Sequence, residues 1–234
     1  MKFRLLLLTF FLTLSNQVFS NSSVYILYDF SGSYHNPDDQ ALVIKNEDVL
    51  SKLNTFINNL YPTLPSPTNV TVIPIREVGL AGGSVHKFCL QMSVFASAQG
   101  TSCVSKKRDL RVELREMEER IKRYPVYGNT DISGALKQAE LYMKTQPNNK
   151  ENIIVIFSDM AEYQMATTKK TDFNLKDSKI LIVWRSVFYG QDTGSDLSRI
   201  DNWIDTFKSA GARNVIAQYE EGFWATDSVN TLRK

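Results

Sequence analysis

The chain has 234 residues, of which 43% are hydrophobic and 22% are charged, and this balance excludes a disordered protein. Its formal net charge of +2 falls to zero without Lys2 and Arg4, because 25 basic residues then face 25 acidic residues. A neutral protein of this kind argues against nucleic acid or an anionic membrane surface as the main partner.

The first 20 residues predict a secretory signal peptide. Lys2 and Arg4 precede an apolar run over residues 5–12, and Ser20 ends a segment suited to cleavage. The run is short for a membrane span, although an uncleaved anchor is the alternative. We therefore expect an exported protein, periplasmic or extracellular, with one domain over residues 23–219 and a polar tail over residues 220–234. No later apolar run is long enough for membrane insertion of the mature chain.

The first half of the mature chain alternates apolar runs with amphipathic stretches. A β-branched and aromatic run over residues 24–30 predicts a buried strand. Residues 47–60 place apolar side chains at helical spacing, and Pro62 follows as a stop. A second strand is predicted over residues 69–75. Residues 79–105 are harder to interpret, because the stretch 85–98 fits a strand, a short helix or both.

Cys89 and Cys103 are the only two cysteines of the chain. In an oxidising compartment a disulfide is the expected state of such a pair. A zinc site would need more ligands than two cysteines and the two distant histidines supply. We therefore predict a Cys89–Cys103 disulfide that fastens the stretch 79–105.

The second half of the chain has clearer patterns. Apolar stripes at helical spacing predict three helices: one over residues 106–124, one carrying Ile132 to Met143, and one capped by Ser195 or Asp196 and ended by Gly211. Buried strands are predicted over residues 152–159 and 179–184, and a short final strand over residues 214–217.

The predicted strands are apolar throughout instead of alternating, which indicates a sheet covered on both faces. Because helices separate most of these strands, we predict a doubly wound α/β domain with a mainly parallel sheet. In such domains ligands bind beyond the carboxyl ends of the strands, near the point where the strand order reverses. The residues that follow each strand are therefore the candidates for function.

Five oxygen-bearing side chains fall at these positions. The first strand ends in the pattern Asp-x-Ser-x-Ser, a later strand ends in an aspartate, and a threonine stands at a loop-to-helix junction between them. Carboxylates and hydroxyls, with no thiol or imidazole among them, suit Mg²⁺ or Mn²⁺ better than zinc. Two buried carboxylates without a cation would also repel each other. The candidate metal ligands are Asp29, Ser31, Ser33, Thr130 and Asp159.

These five positions, in this order, resemble the metal-ion-dependent adhesion site of the von Willebrand factor A domain family. The resemblance covers nearly the whole mature chain, because the alternation of strands and helices also fits. It implies that the hydroxyls of Ser31, Ser33 and Thr130 bind the metal directly, while Asp29 and Asp159 act largely through ordered water. It further implies a protein partner whose Asp or Glu side chain completes the coordination, and a domain that binds without catalysis.

Two features depart from the family pattern. Many relatives have glycine after the last aspartate, whereas this chain has Met160. The stretch after Ser33 is longer than usual and carries Asp38 and Asp39, for which a second cation site and a solvated turn are the two interpretations.

Two alternative functions remain open at this point. One is a scaffold subunit of an exported assembly, whose metal is bound but not used for recognition. The other is a metal-assisted hydrolase with His35 as the base. The chain lacks the Gly-x-Ser-x-Gly, P-loop, Gly-x-Gly-x-x-Gly and His-Glu-x-x-His motifs, which argues against an enzyme.

Overall fold

The computed structural model describes eleven stretches of the chain, from residue 22 to residue 220. The predicted signal peptide and residues 221–234 of the predicted tail lie outside them, as do Ser33, His35, Asp38 and Asp39. The described residues are 22–29, 31, 46–60, 67–76, 86–90, 103–104, 107–121, 130–146, 151–162, 173–184 and 193–220.

The described residues form six strands and four helices. The strands are β1 (Ser22–Asp29), β2 (Thr68–Ile75), β3 (His86–Leu90), β4 (Glu151–Phe157), β5 (Ser178–Trp184) and β6 (Asn214–Tyr219). The helices are α1 (Asn46–Leu60), α2 (Lys107–Ile121), α3 (Ile132–Thr145) and α4 (Thr193–Ser209).

The strands make one sheet in the order β3-β2-β1-β4-β5-β6. All neighbouring strands are parallel except β2 and β3, which are antiparallel. The chain builds the sheet outward from β1 to β3 and then crosses over to build it outward from β4 to β6. The strand order therefore reverses between β1 and β4, and the predicted doubly wound, mainly parallel fold is confirmed.

The central strands are buried on both faces, which is why each contains a continuous apolar run. Successive side chains of β1 point to opposite faces, so that Val24 and Ile26 join one core and Tyr25 and Leu27 the other. The first core lies against α1 and α2, and the second lies against α3 and α4. The helix residues of the first core include Leu53, Phe56, Ile57, Leu110, Leu114, Met117 and Ile121. Those of the second include Ile132, Leu136, Ala139, Ile200, Trp203 and Phe207.

The stretch with the unclear pattern contains β3, a short edge strand. The disulfide between Cys89 and Cys103 is present, as predicted, and the amide of Val104 donates to the carbonyl of Cys89 at 2.7 Å. This cross-link joins β3 to the segment that leads into α2.

One predicted boundary was wrong. The last helix begins at Thr193, so Ser195 and Asp196 lie in its first turn and not at its cap. Asp196 is fully buried there and accepts a hydrogen bond from Arg199. The predicted cap was a plausible one by residue type, but the Asp196 side chain is engaged by Arg199, three residues later in the same helix. Within the part of the chain that the structure describes, no helix has the length and apolar character to cross a membrane.

Candidate metal centre

The candidate site lies at the carboxyl ends of β1 and β4, where the strand order reverses. Asp29, the last residue of β1, is in register with Ile75 of β2. On its other side Tyr28 is in register with Phe157, which places Ser158 beside Asp29. Neighbouring strand ends therefore bring Asp29 and Asp159 to the same edge of the sheet, as the sequence predicted.

The carboxylate of Asp29 is fully buried and both of its oxygens accept hydrogen bonds. Oδ1 accepts from the amide of Ser31 at 2.8 Å, and Oδ2 accepts from the hydroxyl of Ser158 at 2.6 Å. The first bond holds Ser31, which is also buried, beside the end of β1. Asp29 therefore links Ser31 and the end of β4 to the end of β1.

Ser158 belongs to the candidate site, although its position in the sequence did not single it out. Its hydroxyl donates to Asp29 and also accepts from the amide of Met160 at 2.9 Å. One side chain therefore links the two strand ends that carry the candidate acids. The only sequence signal was its position before Asp159, because the bond to Asp29 spans 129 residues.

Asp159 accepts hydrogen bonds through both its side chain and its backbone carbonyl. Its Oδ1 accepts from the amide of Ala161 at 2.8 Å, and its carbonyl accepts from Nε of Arg199 at 3.1 Å. The next carbonyl, that of Met160, accepts from Nε1 of Trp203 at 3.0 Å. Helix α4 thus fixes the turn that presents the second acid.

Thr130 reaches the same edge through the loop before α3. The amide of Asp131 donates to the carbonyl of Arg76 at 2.8 Å, which ties this loop to the end of β2. The carboxylate of Asp131 then caps α3 by accepting from the amide of Gly134 at 2.7 Å. Thr130 is buried immediately before this cap.

Glu162 connects the turn after β4 to the first turn of α3. Its Oε1 accepts from the amide of Ser133 at 2.8 Å. Burial raises the pKa of the Glu162 carboxyl, while the bond to Ser133 opposes the rise. The segments that carry Thr130 and Asp159 are thereby joined directly.

The electrostatics of the edge are those of two buried acids in one place. Burial raises the pKa of the Asp29 carboxyl to about 7, and the negative charge of Asp159 adds to the rise. The hydrogen bonds from Ser158 and Ser31 oppose it. Near neutral pH the pair is therefore costly to ionise fully without a compensating positive charge.

The donor set fits a hard divalent cation. Asp29, Asp159, Ser31 and Thr130 supply only oxygen atoms, and all four are buried at one edge of the sheet. Ser33 lies outside the described residues. A cation would also relieve the repulsion between the two acids, since it attracts both. Ligation of a metal by these five residues stays a prediction.

Comparisons with known proteins identified similar solved structures, although no protein-family model and no curated protein matched significantly. A von Willebrand factor type A protein from Catenulispora acidiphila is 12% identical with a TM-score of 0.49, and the match covers 92% of this chain and 42% of that one. Manganese-loaded TRAP protein from Plasmodium vivax is 15% identical with a TM-score of 0.43, covering 92% of this chain and 72% of that one.

The pilus adhesin SpaC from Lactobacillus rhamnosus GG, in its open conformation, is 13% identical with a TM-score of 0.42. That match covers 93% of this chain and 26% of the adhesin. This chain thus spans less than half of the first and third of these structures. All three identities are below 25% and all three TM-scores are below 0.5.

Proposed function

We propose that the protein binds a protein partner through Mg²⁺ or Mn²⁺ held by Asp29, Ser31, Ser33, Thr130 and Asp159. In this proposal an Asp or Glu side chain of the partner completes the coordination. The observation that carries it is the pair of fully buried acids, Asp29 and Asp159, at the switch point of the sheet. Carboxylates are almost never fully buried unless they are paired, so two neighbouring buried acids favour a bound positive charge.

The hydrogen bonds of Asp29 support an indirect role for this acid. Both oxygens of Asp29 already accept hydrogen bonds, from Ser31 and Ser158. Its negative charge can therefore attract a cation without a direct bond to it. The hydroxyls of Ser31, Ser33 and Thr130 are neutral donors. An ion held mainly by neutral oxygens keeps most of its positive charge and so attracts a carboxylate from outside.

A cleft lies beside the site. In this proposal it accommodates the partner residues that neighbour the coordinating Asp or Glu side chain. It has a volume of about 470 Å³ and lies between the turn after Asp159 and helix α4. Its walls include Met160, Glu162, Arg199 and Trp203. Arg199 and Trp203 also hold the turn itself, so the floor of the cleft and the candidate site share the same supports.

We propose binding and not catalysis, because the acids that could transfer a proton here, Asp29 and Asp159, are the ones that the proposed cation engages. The described residues that flank Asp29 and Asp159 include no imidazole or thiol. His86 lies on the edge strand β3 and is engaged with Glu113. We further propose that the domain works in the periplasm or outside the cell, which its disulfide supports.

Selection of displayed random peptides against the immobilised protein in Mg²⁺ tests this function. Peptides that bind should contain an essential Asp or Glu, release in EDTA, and fail to bind an Asp159→Asn variant. The matched control is Asp205→Asn, an exposed acid on α4 that should change nothing. Peptides that bind equally in EDTA, or without any acid, would overturn the proposed recognition and favour a scaffold.

A further inference from the structure

A second cluster of metal-ligating side chains lies away from the candidate centre, where the edge strand β3 meets helix α2. Strand β3 is buried through His86, Phe88 and Leu90, and the latter two pack in the core that α2 covers. Lys87 faces the other way, with its Nζ 3.6 Å from the centre of the Tyr142 ring on α3. The alternation of the strand therefore directs the imidazole of His86 toward α2.

Three ligand atoms converge at this contact. Nε2 of His86 lies 2.8 Å from Oε2 of Glu113, and Glu116 follows one helical turn later on the same face. One atom from each of the three side chains lies within 4.8 Å of the other two. The imidazole is 3% exposed, whereas Glu113 is 30% exposed and Glu116 is exposed. A buried nitrogen thus faces two carboxylates that solvent can reach.

The contact with Glu113 is made by Nε2 and not by the other ring nitrogen of His86. Its Nδ1 is buried and has no hydrogen-bond partner among the residues that the structure describes. The ring contacts that of Phe88, with centroids 5.5 Å apart, and its Nε2 faces Glu113. An imidazole placed in this way has its lone-pair nitrogen available to a metal once the proton resides on Nδ1.

We propose that His86, Glu113 and Glu116 form a binding site for Zn²⁺, with solvent in the fourth position. One imidazole and two carboxylates are ligands that zinc accepts, and three protein ligands plus water complete a tetrahedron. With bonds of about 2.1 Å, such an ion brings its ligand atoms to roughly 3.4 Å from one another. Small rotations of the two glutamate side chains would bring the three ligand atoms to this separation. This site is separate from the all-oxygen centre and does not depend on it.

The cross-linked scaffold reduces the cost of binding. Cys89 lies on β3 three residues after His86, and its disulfide partner Cys103 precedes α2 by four residues. The two elements that carry the ligands are therefore already joined, so that the ion does not have to order them. Bound zinc would in turn fasten the edge strand to the helix on their solvent side.

Titration with Zn²⁺ tests this site through the two histidines of the chain, His35 and His86. The imidazole nitrogens are followed by NMR in the folded protein, with millimolar Mg²⁺ present to fill the all-oxygen centre. At one equivalent of Zn²⁺ the His86 signals should shift to those of a ring bound through Nε2 and protonated on Nδ1. The His35 signals should stay unchanged.

Two variants of α2 complete the test. Glu116→Gln removes one exposed ligand and should weaken Zn²⁺ binding at least tenfold. Loss of a residue that only hydrogen-bonds to a metal ligand typically lowers metal affinity by that factor. The matched control, Glu119→Gln, changes an exposed acid on the same helix and should bind Zn²⁺ like the wild type. The amide spectrum of each variant verifies its fold. Unchanged His86 signals, shifts confined to His35, or equal affinity of Glu116→Gln and wild type would overturn the proposal.

Discussion

Met160 has a backbone φ of 59°, in the left-handed region that side chains rarely adopt. Its amide and carbonyl are held by Ser158 and Trp203, so the conformation follows from the turn that presents Asp159. The side chain is fully buried in the second core. Burial of the methionine thus offsets the strain at a position where glycine would be relaxed.

Replacement of Met160 by glycine and by alanine separates these two effects. Both variants lose the buried side chain and should be destabilised by about 2–5 kcal/mol. Met160→Gly should nevertheless be more stable than Met160→Ala by about 1 kcal/mol, because glycine relieves the strain. Urea denaturation measures the difference.

The control for this comparison is Met117, an equally buried methionine inside α2. There glycine should be less stable than alanine by about 1 kcal/mol, the usual order in a helix. If Met160 showed that same order, the turn after β4 would not be strained as described.

At the scale of single elements, the start of α3 depends on one glycine. The carboxylate of Asp131 caps the helix at the amide of Gly134. A Cβ atom at position 134 would lie 2.3 Å from Oδ2 of Asp131, which is too close for any contact. A larger residue would therefore displace the capping carboxylate.

The substitution Gly134→Ala tests this packing. Alanine normally stabilises a helix relative to glycine by about 1 kcal/mol, but here it should destabilise the protein by about 1 kcal/mol through loss of the cap. In an Asp131→Ala background the same substitution should become stabilising, because no cap is left to lose. A double-mutant cycle by urea denaturation measures the change of sign. Additive effects would contradict the role of Asp131 as the cap.

The elements differ in how far the sequence alone could predict them. Continuous apolar runs identified β1, β4 and β5, since strands buried on both faces need no polar positions. The sequence pattern did not identify strand β3. A five-residue edge strand with two exposed or half-exposed positions carries too little hydrophobic pattern to be distinguished from a helix. Its place in the sheet is set by pairing with β2 and by the disulfide, which are contacts between distant residues.

The same distinction holds within the candidate centre. Asp29, Ser31, Thr130 and Asp159 could be found because each stands at an element boundary. The sequence could not predict the hydrogen bond from Ser158 to Asp29. It also could not predict the hydrogen bonds from Arg199 and Trp203 to the turn after β4, because all of these depend on tertiary packing.

At the scale of the whole molecule, the buried acids make folding depend on pH. The pKa of Asp29 rises from 3.8 in the unfolded chain to about 7 in the fold. An acid whose pKa is higher in the folded protein than in the unfolded chain stabilises the fold at pH values below its unfolded-state pKa. This contribution is lost as the pH rises through its folded-state pKa. In EDTA the free energy of unfolding should therefore fall between pH 4 and pH 7.

The variant Asp29→Asn isolates this contribution, because it removes the titrating group and keeps a similar shape. From pH 4 to pH 7 the wild type should lose stability relative to the variant by on the order of 4 kcal/mol. Urea denaturation in EDTA at several pH values measures the difference. A difference that stays constant with pH would show that Asp29 titrates normally.

The measurement that tests the central claim most directly is thermal unfolding in EDTA and in Mg²⁺ or Mn²⁺, for wild type, Asp159→Asn and the control Asp205→Asn. An ion that binds only the folded state should stabilise the wild type by about 2.7 kcal/mol at a hundred times its Kd. We predict that gain for the wild type and for Asp205→Asn, and its loss in Asp159→Asn. The absence of any gain at millimolar metal, or an equal gain in Asp159→Asn, would contradict a metal centre at the switch point of the sheet.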